Sequence, residues 1–63
     1  MLLEYTSEDQ TVIKVTLEEG ESIGNLNGPI VAFVPTDPAN TDFSAIEAAG
    51  QAPTVYRPPG APA

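Results

Sequence analysis

The chain has 63 residues, with nine acidic side chains against two basic ones, for a formal net charge of −7, and it contains no cysteine and no histidine. That composition excludes a disulfide scaffold, a thiolate or imidazole metal centre and a histidine-activated nucleophile. Two cations, Lys14 and Arg57, are too few for a phosphate-binding patch, so neither nucleic acid nor an anionic membrane is expected as a partner.

A chain of this length forms one small domain, and domains of this size without disulfides or metals commonly need self-association or a larger body to dock on. Met1-Leu2-Leu3 runs directly into Glu4, with no basic region ahead of a long apolar one, so no export signal is expected. The longest apolar run, Ile30-Val31-Ala32-Phe33-Val34, is far too short to span a bilayer.

In chain order, residues 2–6 read as a short first strand and Ser7-Glu8-Asp9-Gln10 as a polar break. Residues 11–17 carry the clearest strand signal. Ile13, Val15 and Leu17 fall on one wholly apolar face, and Val12, Lys14 and Thr16 fall on a mixed one. Glu18-Glu19-Gly20-Glu21 predicts a tight turn with positive φ at Gly20. Residues 22–26 read as one weak returning strand bent at Gly24, and Asn27-Gly28-Pro29 as a second turn. Residues 30–34 form a strand buried on both faces, or buried on one and covered by a partner on the other. Pro35 ends it.

A short helix follows. Either Asp37 caps it with Pro38 in the first helical position, or Asn40 or Thr41 caps a helix beginning at Asp42. Phe43 and Ile46 share one helical face, and Gly50 is the stop. From Gln51 the composition changes. Pro53, Pro58, Pro59 and Pro62 exclude a helix or an interior strand, leaving an extended arm.

Few residues suggest chemistry. Glu18, Glu19 and Glu21 lack the alternating Asp/Asn spacing of a calcium loop and read as a solvated turn. Asp37 and Asp42 have no cleft in which to act as paired catalytic carboxylates, and helix capping accounts for both. Gly20, Gly24 and Gly28 recur every four residues without a phosphate-loop lysine, which points to turn chemistry. No catalytic residue, metal ligand or cofactor site is expected. Val55-Tyr56-Arg57-Pro58-Pro59 does suggest an interface anchor, with an aromatic ring and a guanidinium on a stiff arm.

Pro35-Thr36-Asp37-Pro38-Ala39-Asn40-Thr41-Asp42-Phe43, continuing to Gly50, resembles a segment recurrent in short proteins of tailed bacteriophages. There an apolar strand and a proline lead into an Asp-x-Ala-Asn-x-Asp-aromatic run, a short helix, a glycine and a Pro-rich tail. The resemblance covers about residues 30–59, and the helix is smaller and richer in alanine here. It implies a virion or tail-associated protein.

The expected fold is α+β and mainly β: an antiparallel sheet of three to four strands and one short helix in residues 1–50, with an extended Pro-rich arm in 51–63. The expected function is that of a non-enzymatic structural virion protein, made in the host cytoplasm and docking in many copies on capsid or tail subunits. The alternative is an acidic inhibitor or DNA mimic that covers a basic site on a host enzyme. The residues expected to meet a partner, which includes a second copy of the chain, are Ile30, Val31, Phe33, Val34, Tyr56, Arg57, Pro58 and Pro59.

Overall fold

Alternate residues of Val12–Leu17 carry β-branched or long aliphatic side chains, and this pattern sets the centre of the molecule. In a computed structural model that describes residues 1–57, this segment is β2, flanked by β1 (Leu2–Tyr5) and β5 (Ile30–Pro35). The sheet is antiparallel throughout, in the order β1-β2-β5. Ile13 and Val15 are fully buried and Leu17 nearly so. In register with them lie Leu3 and Tyr5 on one side and Ile30, Ala32 and Val34 on the other. A side chain on one pleat face repeats every second residue, so these residues form a single inner face.

The fold class matches the sequence reading, but the segment after the acidic turn differs. Residues 22–26 do not make one strand. Two-residue strands β3 (Ser22–Ile23) and β4 (Leu26–Asn27) form a separate small hairpin that turns at Gly24 and Asn25. The hairpin buries Ile23 in the core and packs Leu26 against it. Before it, Gly20 has φ of +88°, as the tight turn requires. Glu21 closes this turn by accepting from the Glu18 N–H at 2.9 Å while also pairing with the terminal amino group. Those two contacts, the amino group first, hold its carboxyl below the usual range. Asp9 is likewise lowered, chiefly by hydrogen bonds from the Ser7 and Thr11 hydroxyls in the β1–β2 connection.

The helix α1 spans Thr41–Ala48. Of the three capping arrangements, Asn40 is the one adopted: its side chain accepts from the Asp42 and Phe43 N–H groups at 3.0 and 3.1 Å. Asp37 instead accepts from the Ala39 N–H within the preceding turn. Asp42 reaches outward and accepts from the Asn25 N–H at 2.8 Å, tying the hairpin to the start of the helix. Past the last turn, the Gly50 N–H donates to the Glu47 carbonyl, consistent with Gly50 as the stop. Ile46 is buried beneath the helix and Phe43 packs at the core margin, so the short helix is held by packing. Replacing Asn40 by Ala is expected to cost about 1 kcal/mol. For a domain this small that lowers the melting temperature by about 4–8 °C, read from a thermal melt by circular dichroism.

Candidate docking surface

The residues between the buried positions of each strand form the opposite, outer face of the sheet. The register aligns them in rows: Leu2, Thr16 and Val31; then Glu4, Lys14 and Phe33; then Val12 and Pro35. No helix or hairpin residue belongs to the core on this side, and the largest apolar groups stand in the open. Phe33 is 65% exposed, Val31 56% and Leu2 49%. Singly exposed apolar residues are ordinary, but Val31, Phe33 and Pro35 follow one another along the outer face of β5, with Leu2 on the same face across Thr16, which points to a contact surface.

β5 corrects part of the sequence reading. The run of residues 30–34 is buried on one face only, one of the two arrangements expected for it, and the assignment of its members changes. Val34, expected at a partner interface, is 2% exposed and belongs to the core opposite Ile13. Ile30 is half-buried and packs against the same core. A strand sends neighbouring side chains to opposite faces, so at most half of a continuous apolar run can meet a partner through its side chains. Val31 and Phe33 are the members left on the exposed face.

The segment after the helix does not project from the body over its described length. The Thr54 N–H donates to the Leu3 carbonyl at 2.9 Å, and the Thr54 carbonyl accepts from the Tyr5 N–H at 3.2 Å. A single parallel bridge between Glu4 and Thr54 results, and it covers the outer edge of β1. The body and the arm therefore share hydrogen bonds across the expected boundary at Gln51.

Beyond the bridge, Tyr56 is half-buried and Arg57 exposed. They join Glu4, Thr6 and Lys14 in lining a groove of about 330 Å³. Both basic side chains of this acidic chain line that one groove, and β2 brings Lys14 to the side of Phe33. Pro58 and Pro59 lie outside the described residues.

Leu2, Lys14 and Pro35 join the surface without having been singled out in the sequence. The signal existed in part: once Leu3 is assigned inward, alternation turns Leu2 outward. Lys14 beside Phe33 needed the β2–β5 register. Among the described residues, no group of three or more acidic side chains is placed to hold a metal ion. No helix there is long and apolar enough to cross a membrane. No family model, curated protein or solved structure matches this chain.

Proposed function

We propose that this protein is a non-enzymatic structural component of a tailed-phage virion, docking in many copies onto capsid or tail subunits through the outer face of its sheet. The observation that carries the docking part is the exposure of Val31, Phe33 and Pro35 along β5, with Leu2 across Thr16 on the same sheet face, next to the groove lined by Tyr56 and Arg57. The virion part rests on the resemblance of residues 35–50 to phage proteins. Exposed aliphatic and aromatic groups supply the dry centre of such a contact. Arg57 at the margin can pair with a partner carboxylate, and Tyr56 can bury its ring while keeping its hydroxyl hydrogen-bonded.

The test is fractionation of an infected culture, followed by counting copies per purified particle. The protein is expected in the particle fraction. Leu2→Asp and the double variant Tyr56→Ala, Arg57→Ala should fold normally, since these side chains are exposed or half-exposed. Each should lose occupancy after a high-salt wash, as expected when about 2 kcal/mol of contact energy is removed. Unchanged occupancy in both variants would overturn this surface. Recovery with a soluble host enzyme, released by salt, would instead support the acidic-inhibitor reading.

A further inference from the structure

Among the described residues, β5 is an edge strand whose second side has no ladder partner. Which of its backbone groups face that open side follows from the ladder. The Thr36 N–H donates to the Thr11 carbonyl at 3.0 Å, in continuation of the β2–β5 register. Antiparallel ladders alternate, so Val34, Ala32 and Ile30 also turn their backbone groups toward β2. Val31 and Phe33 turn theirs outward, and neither makes a backbone hydrogen bond to another element among the described residues. The next outward positions on either side are Pro29 and Pro35, which have carbonyls but no N–H.

The outward sequence is therefore Pro29, Val31, Phe33, Pro35, which is symmetric in its donors about Ala32. We infer that this edge pairs with the same edge of a second copy, antiparallel about a two-fold axis at Ala32. Val31 of each chain then exchanges both backbone hydrogen bonds with Phe33 of the other, giving four bonds in all. An edge that places matching donors and acceptors at two-fold positions is complementary to itself, which an edge built for an unrelated strand has no need to be.

Three further features agree. Residues 27–36 carry no charge, so two chains of net charge −7 meet along a neutral seam. The nearest like charges on the sheet, the two Lys14 side chains, would stand three strand spacings apart, about 14 Å and beyond the screening length. On the outer face, each Val31 would sit opposite a Phe33, a favourable β-branched–aromatic pair. The assembly also closes. Natural edges are commonly blocked by charge, proline or a covering segment. Here the far edge of each β1 is covered at Thr54, so pairing stops at six strands, and the flanking prolines limit the seam to the two residues between them.

The inference does not rest on the virion reading and is tested on the purified protein alone. A seam this short belongs with interfaces below about 1,200 Å², so exchange between monomer and dimer is expected in the micromolar range. Sedimentation equilibrium should show the mass rising from 6.6 kDa towards twice that value as concentration increases. Val31→Pro removes a donor that no contact among the described residues uses. It should keep the native circular dichroism spectrum and weaken the dimer at least tenfold.

The chain has no cysteine, so introduced thiols report the register cleanly. Ala32→Cys places two sulfurs across a non-hydrogen-bonded pair, about 4.5 Å apart at Cα, and should form a disulfide dimer on mild oxidation. In Val31→Cys the two thiols are offset by two residues and should not crosslink. A monomer up to about 1 mM would overturn the inference, as would crosslinking through Val31→Cys in preference to Ala32→Cys.

Discussion

Val15→Asp is expected to leave the protein unfolded at 25 °C. Val15 is fully buried, with Leu3 and Ala32 beside it in the sheet register. The substitution removes about 1.5–3 kcal/mol of apolar burial and adds several kcal/mol for an unpaired carboxylate in an apolar interior. A domain of this length has about 3–9 kcal/mol of stability in total. The combined loss takes up most or all of it.

Thr16→Asp is the control one residue away. Thr16 lies on the outer face between Leu2 and Val31, where a new carboxylate stays in water. Its expected cost is about 1 kcal/mol or less. Far-ultraviolet circular dichroism of the two variants reads the difference. Equal loss of signal in both would mean that the two faces of β2 are wrongly assigned.

Gly28→Ala is expected to cost about 3 kcal/mol or more, for a different reason. A methyl group at Gly28 would lie 2.1 Å from the Glu18 carbonyl oxygen and 2.9 Å from Cβ of Leu17. Both neighbours are fixed: Leu17 is in the core, and the Glu18 carbonyl accepts from the Glu21 N–H at 3.0 Å. The hairpin would have to lift away from the end of β2, disturbing Ile23 and Leu26.

Gly20→Ala separates close approach from backbone conformation. Gly20 has positive φ but open space around it, so its expected cost is the left-handed penalty alone, about 1–2 kcal/mol. Urea denaturation midpoints should therefore rank wild type above Gly20→Ala and Gly20→Ala above Gly28→Ala. A Gly28→Ala midpoint matching wild type would show that the hairpin does not press on β2 in solution.

Much of the architecture is written locally in the chain. Strict alternation over Ile13, Val15 and Leu17 named the core strand and its buried face, because a two-residue period has only one way to pack half-buried. The acidic Gly20 turn and the stop at Gly50 were legible for similar reasons, since few residues suit those positions. The helix cap was less so. Asp37, Asn40 and Thr41 are all competent caps, and the choice of Asn40 fell together with the tie from Asp42 to Asn25, seventeen residues away. Competing local signals of similar strength are decided by contacts that the local sequence does not contain.

The docking surface shows where the sequence stops. An unbroken apolar run such as Ile30-Val31-Ala32-Phe33-Val34 has no period, so nothing within it says which residues face the core. Pairing with β2 decides this by placing Val34 opposite Ile13 and Phe33 opposite Lys14. In the same way, the proline-rich composition after Gln51 established an extended segment, but not where it lies. Thr54 reaches β1 because the outward N–H of Tyr5 and carbonyl of Leu3 are otherwise unpaired there, and it meets Leu3 across 51 positions of chain. By itself the sequence determined the three strands of the main sheet, the Gly20 turn, the helix and the acidity of the protein, but not the β3–β4 hairpin that stands where one strand was expected. Tertiary structure alone decided which edge is covered and which apolar side chains remain in water, because both depend on hydrogen-bonding partners that are distant in the chain and adjacent only after folding.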